Sequence, residues 1–318
     1  MVKRIGILTS GGDAPGMNAA VRAVVRAGID SGLETYAIYN GYLGLFKGQI
    51  ERMYRKSVSD KLRLGGTFLG TARLPEFKEK EIREQAIENL KLFGIDALVC
   101  IGGDGTYRGA NALHEMGICT VAIPGTIDND IKGTDYTIGF DTALNTSVEC
   151  VDKLRDTSAS HYRCSVIEVM GRNCGDLAIL TGIATGAEYV ICKETGFDMD
   201  EMIDTIKAAA ESKNFAIVVV AENMVNVNEL AKTITERTPF QARATVLGHI
   251  QRGGKPSARD RVLASEMGVK AVEALINGES GVCVCIDNDK IITKKITEAL
   301  NSNDESIKRK YEVLKKLW

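Results

Sequence analysis

Residues 96–130 read DALVCIGGDGTYRGANALHEMGICTVAIPGTIDND. DALVCIGG (96–103) is a short, β-rich apolar run, residues near 106–116 carry a helical pattern, and CTVAIPG (119–125) is strand-like again. Strand, helix and strand at this spacing build a parallel sheet covered by helices on both faces. The alternation extends outward. RIGILT (4–9), a helix from about Gly16 to Ser31, ETYAIY (34–39) and a helix near 79–93 precede it. A long helix near 140–158 follows, with Ala143, Leu144, Val148, Val151 and Leu154 on one side. The series then restarts: CSVIEVM (164–170), a helix near 175–185, a strand near 188–192, a helix near 199–212 and FAIVVVAE (215–222). ATVLGHI (244–250), a helix near 259–276 and GVCVCID (281–287) complete it. The restart predicts a second α/β domain, and the absence of a Pro/Ser linker predicts that the two halves interdigitate and share a cleft. The charged stretch 304–317 (DESIKRKYEVLKKL) reads as a solvated amphipathic helix.

Composition narrows the function. With 318 residues, 44% hydrophobic and 26% charged, the chain is an ordinary globular one. Lys and Arg number 40 against 42 Asp and Glu, a net charge of −2. That balance supplies no basic field for nucleic acid or an anionic membrane, so any anion must be gripped locally. No apolar run reaches membrane-helix length, and MVKRIGILTSGGD lacks a signal-peptide pattern, so a cytoplasmic protein is expected. The eight cysteines show neither CxxC pairs nor zinc spacing, and most sit in apolar runs, which predicts buried reduced thiols. Glycine, at 32 residues, is the compositional outlier. It clusters within 11–16, 65–70, 102–109, 125–139, 171–175 and 253–254, at strand ends and turns where main chain could meet phosphate.

Three strand-end loops carry the chemistry. TSGGDAPGMN (9–18) puts Gly11, Gly12 and Gly16 where a strand hands over to a helix, a place that presents N–H groups to anions, although any tight turn also favours glycine. IGGDGTYRGAN (101–111) sets Asp104 between Gly103 and Gly105. A carboxylate beside a phosphate loop reads as a Mg²⁺ anchor, the alternative being an Asx-turn or helix N-cap. PGTIDNDIKGTD (124–135) crowds Asp128, Asp130 and Asp135 behind another strand; one carboxylate could act as general base toward a hydroxyl. Arg73, Arg163, Arg172, Arg243 and Arg252 lie near glycines, loops or strand starts, which favours a second phosphate on the acceptor substrate.

TSGGDAPGMN, GGTFLGTAR, IGGDGT, PGTIDNDIKGTDYTIGF, VMGR and VLGHIQRGG, in this order from Arg4 to Gly254, resemble the bacterial ATP-dependent 6-phosphofructokinases. The resemblance implies two Rossmann-like three-layer αβα domains with mainly parallel sheets and the active site in the cleft between them. The larger, ATP-binding domain would take residues 1–138 plus about 251–301, and the smaller, fructose 6-phosphate-binding domain about 139–250 plus 302–318. It implies transfer of the ATP γ-phosphoryl to the 1-hydroxyl of fructose 6-phosphate, with ADP as the other product, by a Mg²⁺-dependent cytoplasmic homotetramer. By motif match, Gly11, Arg73 and Leu74 would contact ATP, with Arg73 also steadying the transferred phosphoryl, and Gly103, Asp104, Gly105 and Thr106 would hold the nucleotide phosphates, Asp104 the magnesium. Thr126, Ile127 and Asp128 would face the sugar phosphate, with Asp128 as proton acceptor. Met170, Gly171, Arg172, Glu222, His249, Ile250, Gln251 and Arg252 would line the sugar site, although His249 could be a structural histidine and Glu222 a strand cap. Arg163 and Arg243 would reach the sugar 6-phosphate from a neighbouring subunit.

The family also carries an allosteric nucleotide site. Arg22, Arg26, Arg55, Lys56, Ser57, Val58, Ser59, Asp60, Arg155, Gly186, Ala187, Glu188 and Lys213 match parts of it. AAAESKN (208–214) is a residue shorter than the usual segment and places Glu211 and Ser212 where lysine and glycine are common, so an altered effector response is expected. Two alternatives stand beside this reading. In the pyrophosphate-dependent branch, GGDD and a lysine before TIDND are usual, where Gly105 and Gly125 stand here. A silent nucleotide-sensing subunit would be expected to lose Asp104 or Asp128, and both are present.

Overall fold

The computed structural model describes residues 2–301 and 306–317. In chain order the first elements are β1 (Arg4–Ser10), α1 (Met17–Asp30), β2 (Glu34–Ile38), α2 (Gly41–Phe46), β3 (Ile50–Met53), α3 (Lys80–Phe93), β4 (Ala97–Gly102), α4 (Asp104–Glu115) and β5 (Cys119–Pro124). There follow α5 (Phe140–His161), β6 (Arg163–Val169), α6 (Asp176–Thr185), β7 (Tyr189–Ile191), α7 (Met199–Ser212), β8 (Ala216–Ala221), α8 (Val227–Arg237) and β9 (Gln241–Val246). Helix α9 (Ala258–Ile276), β10 (Val282–Asp287), β11 (Lys290–Lys295), α10 (Ile296–Asn301) and α11 (Ser306–Lys315) end the series.

The chain divides into two compact units. Residues 2–127, 131–142 and 252–301 form the first, and 128–130, 143–251 and 306–317 the second. Residues 128–130, expected in the larger domain, fall in the second unit, and past the expected break at 138 the first unit shows an extension to 142. Its cause is Asp260 of α9, whose carboxylate accepts from the Gly139 and Thr142 amides, both at 2.9 Å, and from the Thr142 hydroxyl at 2.5 Å. The expected boundary near 301 adjoins residues 302–305, which, like 318 and the first two residues of the predicted C-terminal helix, lie outside the described residues.

The first unit is built on a seven-stranded sheet of order β11-β10-β5-β4-β1-β2-β3. Its central pairs are parallel, and the edge strands β3 and β11 run antiparallel to their neighbours. Strands buried on both sheet faces are apolar throughout rather than alternating, and β4, ALVCIG, is buried at every position. One face gathers Leu8, Ile38, Leu98, Cys100, Ala122, Cys283 and Cys285 against α2, α3, α4 and α10. Helices α1 and α9, which contact each other and the sheet, cover the other face. The thiols expected to be buried are so for Cys100, Cys164, Cys174, Cys192, Cys283 and Cys285, while Cys119 and Cys150 are half-buried, and all eight are free. Burial pushes the Cys100 thiol up to about 12.

The second unit holds an all-parallel sheet of order β7-β8-β6-β9. One face packs Cys164, Val166, Val218, Val220 and Ala242 against α7 and α8. Helix α6 contacts β7 and β8 on the other side, and α11 lies on α6. Two elements depart from expectation. The strand predicted at 244–250 runs instead over Gln241–Val246, because pairing with β6 starts at Arg163↔Gln241 and ends at Glu168↔Val246; Gly248–Arg252 form a 3-10 turn. Helix α8 was not anticipated, although its start is marked by Asn226, whose side chain accepts from the Asn228 and Glu229 amides at 3.0 and 3.3 Å. The C-terminal helix is less solvated than expected, with Ile307, Tyr311 and Leu314 buried.

The register of β1, β4 and β5 sets their ends level: Ser10 pairs with Gly102, and Gly102 with Pro124. A Cβ on Gly102 would lie 2.3 Å from the Ser10 carbonyl oxygen, a backbone atom that cannot yield alone, whereas one on Gly105 would meet nothing within 4 Å. Gly102→Ala is therefore expected to cost about 1–3 kcal/mol or more in urea denaturation, through overpacking. Gly105→Ala should change stability by no more than about 0.5 kcal/mol.

Candidate active site

In the first unit the sheet reverses direction of growth between β1 and β4, since β2 and β3 lie to one side of β1 and β4, β5 and β10 to the other. Ligands of open α/β sheets bind off the carboxyl ends of the strands at such a point. The loops after β1 and β4 leave the sheet there, with the loop after β5 beside them. These are the three loops singled out from sequence.

The first loop turns at Gly11, φ 85°, and its carbonyl accepts from the Thr71 hydroxyl at 2.7 Å. That bond joins it to the segment 65–74, which carries Arg73. Thr9 extends the joint, its Oγ1 lying 2.8 Å from Thr67 Oγ1 and 2.9 Å from the Gly70 carbonyl. Asn18, buried at the start of α1, donates to the Leu64 and Gly65 carbonyls, both at 3.1 Å, and accepts from the Phe68 amide at 2.9 Å. Asn18, Thr9 and Thr67 were not among the predicted site residues. A polar residue one position inside an apolar helix was the available signal for Asn18. Arg73 is exposed at the end of this segment, while Leu74 packs partly against the core.

Helix α4 starts at Asp104. Its N-cap is Gly103, with no side-chain capping bond, so Asp104 is not the cap that one alternative proposed. Its carboxylate instead takes Arg108 one turn on, at 3.0 and 3.1 Å. Arg108 is largely exposed and Asp104 is 31% exposed, so the pair can open toward a ligand. Thr106 is held inward, its hydroxyl donating to the Ser10 carbonyl at 3.0 Å. After β5, the Thr126 carbonyl accepts from the Thr137 hydroxyl at 2.7 Å, and Thr126 and Ile127 are buried. Arg252, expected at the sugar end, belongs to the first unit and lies on the first loop: its Nη1 donates to the Asp13 carbonyl at 3.3 Å and fills the space a Cβ on Gly12 would take.

The second unit assembles the other residues off the carboxyl ends of β6, β8 and β9. Gly171 (φ 137°) and Arg172 (φ 56°) turn the chain after β6, and the Arg172 amide donates to Glu222 Oε1 at 2.6 Å. Glu222 thus holds the turn that aims Arg172 and does more than end a strand. Glu168, one residue inside β6, has its carboxyl raised by burial and by the Glu222 charge. Asp128 is 5% exposed, and Asp130 pairs with Arg172 at 3.6 Å. Gln251 is wholly buried: its Oε1 accepts from Ser147 and from the Met170 amide at 3.0 and 3.3 Å, and its Nε2 donates to the Gly248 carbonyl at 3.0 Å. It fixes Met170, while His249 and Ile250 on the same turn are exposed.

Arg163 and Arg243 lie elsewhere. Arg163 opens β6, six residues before Val169, so about 20 Å of strand separates it from the Arg172 turn. Arg243, exposed on β9, pairs in register with Ser165 and shares the sheet face of Arg163.

The residues matched to the effector site fall into two groups. On the first unit, Arg22 and Arg26 stand one turn apart on α1, and burial with the Arg26 charge lowers the Arg22 guanidinium. Arg55 pairs with Asp30 at 2.8 Å, Asp60 is bidentate to Arg63 at 2.8 and 2.7 Å, Val58 is buried, and Lys56, Ser57 and Ser59 complete the short 3-10 turn and its end. On the second unit, Arg155 donates to the Thr185 carbonyl just before Gly186, and Lys213 pairs with the buried Glu188 beside Ala187. Glu211, Ser212 and Lys213 line an open depression of about 480 Å³ with Tyr162, Asn214 and Phe240.

The chain has relatives among known proteins along its length. The family described as phosphofructokinase matches residues 4–275. A protein of Photobacterium profundum named ATP-dependent 6-phosphofructokinase is 56% identical over 100% of both chains. One of the same name from Vibrio vulnificus is 57% identical over 95% of each. Among solved structures, the Pichia pastoris phosphofructokinase in the T-state superposes with a TM-score of 0.93 at 36% identity, covering 99% of this chain and 39% of that longer one. The motifs, their placement at the strand ends and relatives more than half identical along the full length together make this chain a member of the phosphofructokinase family.

Proposed function

We propose that this chain transfers the ATP γ-phosphoryl group to the 1-hydroxyl of fructose 6-phosphate, giving fructose 1,6-bisphosphate and ADP, as an allosterically regulated homotetramer in the cytoplasm. The observation that carries the reading is the level alignment of Ser10, Gly102 and Pro124, which sets three glycine-rich and acidic loops side by side. Relatives bearing the name of that reaction match the whole chain.

Phosphoryl transfer asks a protein mainly for positioning and for charge to meet the spreading negative charge of the transition state. In this reading Gly11 and the segment Gly103 to Thr106 present main chain to the nucleotide phosphates. The open space over Gly105 supports a bulky donor. Asp104 fits a Mg²⁺ ion, which takes one or two carboxylates together with phosphate oxygens and water rather than an all-protein cage. Bound there, the ion would neutralise charge on the phosphate oxygens. Asp128 accepts the proton of the attacking hydroxyl. Arg73 and Arg172 meet the developing charge, and Glu222 and Asp130 keep Arg172 oriented. Arg163 and Arg243 sit too far along the sheet from Arg172 to share its ligand within one unit, which supports their acting on the sugar phosphate of a neighbouring subunit.

Effector binding should be weakened. Lys213 is already engaged by Glu188, and Glu211 adds negative charge beside it.

A coupled assay with fructose 6-phosphate should show turnover with ATP and little with pyrophosphate; the reverse preference would overturn the donor assignment. Asp128→Ala is expected to lower kcat about 10²–10⁴-fold with a much smaller change in KM, the range of general-base catalysis. An unaltered rate would remove Asp128 from that role. Rate curves against fructose 6-phosphate with added ADP and phosphoenolpyruvate should respond weakly, and strong ordinary responses would refute the effector reading.

A further inference from the structure

Asp176 opens α6 and is 1% exposed. A carboxylate so buried is tolerated only when paired, and such pairs contribute little net stability. Its first partner is Lys310 of α11, whose Nζ lies 2.7 Å from Oδ1 and 2.9 Å from Oδ2. Its second is Asn129, whose Nδ2 donates to Oδ2 at 2.7 Å. Asn129 stands between Asp128 and Asp130 in the left-handed region, φ 50°. Its carbonyl also accepts from Cys174 Sγ at 3.6 Å. All of these groups belong to the second unit. Asp176 is the single carboxylate of α6, DLAILTGIAT, so the lysine that docks α11 necessarily shares it with Asn129, the residue between two acidic side chains.

We propose that Asp176 is a positioning residue for phosphoryl transfer: clamped by Lys310 of the C-terminal helix, it fixes Asn129 and so the direction in which Asp128 presents its carboxylate. The proposal rests on the reading of Asp128 as proton acceptor. Lys310 acts at one further remove, by holding the Asp176 carboxylate in place. The C-terminal helix thereby becomes part of the catalytic apparatus without touching substrate.

Steady-state kinetics of the full-length protein test it. Lys310→Met should lower kcat by on the order of tenfold or more, as misplacement of a reacting group does, with both KM values within about twofold. Lys310→Arg should restore most of the rate. Asn129→Gly, which keeps the left-handed conformation accessible while deleting the amide, should cause a similar loss. Combined with Lys310→Met it should add nothing further, as expected for groups acting through one path. Lys308→Met, an exposed neighbour on the same helix, should leave kcat unchanged. Native kcat in Lys310→Met with only a lower Tm would overturn the proposal, as would losses that multiply in the double variant. If Lys310→Met fails to fold, Asn129→Gly decides alone, and a native kcat there is fatal. Asp128→Ala separates the two readings. A slow Asp128→Ala beside fully active Lys310 and Asn129 variants rejects the relay and spares the base; a fast Asp128→Ala rejects both.

Discussion

The level termination of three parallel strands is the constraint on which the first unit depends. Parallel neighbours with Ser10, Gly102 and Pro124 in one row deliver their following loops to a common edge. The row closes only because residue 102 has no side chain, since the Ser10 carbonyl occupies the space a Cβ would need. From this follow the start of α4 at Asp104, the inward bond of Thr106 to Ser10 and the approach of the 65–74 segment to Gly11. The glycine excess thus has two causes. Some glycines, like Gly102 and Gly65, make room for neighbouring backbone of the same chain, and others, like Gly105, leave space open.

A nearly neutral protein that handles polyanions has to balance charge locally, and the described ion pairs show how. Asp104 is held by Arg108, Asp130 by Arg172, Asp176 by Lys310 and Glu188 by Lys213. The exposed members of these pairs can exchange partners at little cost, because water screens what they lose. The buried ones cannot, because an uncompensated buried charge is strongly unfavourable. Exchangeable charge therefore sits toward the surface, and fixed charge sits inside, where geometry has to be kept. Asp176 belongs to the second kind and Asp104 to the first.

Legibility followed the range of the interactions. Apolar runs and their spacing located most strands and helices, since burial on both faces of a parallel sheet writes itself into consecutive residues. The edge strand β9 was misplaced because it is paired on one side only, so its exposed residues carry no such signature. Helix α8 was overlooked although Asn226 marks its start. The loops bearing Asp104 and Asp128 stand out because acid and glycine together behind a strand are unusual. Asn18, Gln251 and Asp176 were not given their holding roles, because each acts through partners far along the chain: 46 to 50 residues away for Asn18, 81 and 104 for Gln251, 47 and 134 for Asp176.

By itself the sequence determined the α/β class and the family and marked three glycine-rich, acidic loops at strand ends, all of which are carried by residues close together along the chain. Tertiary structure alone decided which glycines serve packing, that Asp104 is not a helix cap, that Arg252 rests on the first loop, that Arg163 lies a strand's length from Arg172, and that Lys310 meets Asp176. The physical reason is the same in each case. Local patterns report how a segment meets solvent, whereas register and long-range hydrogen bonds depend on which distant atom fills the remaining space.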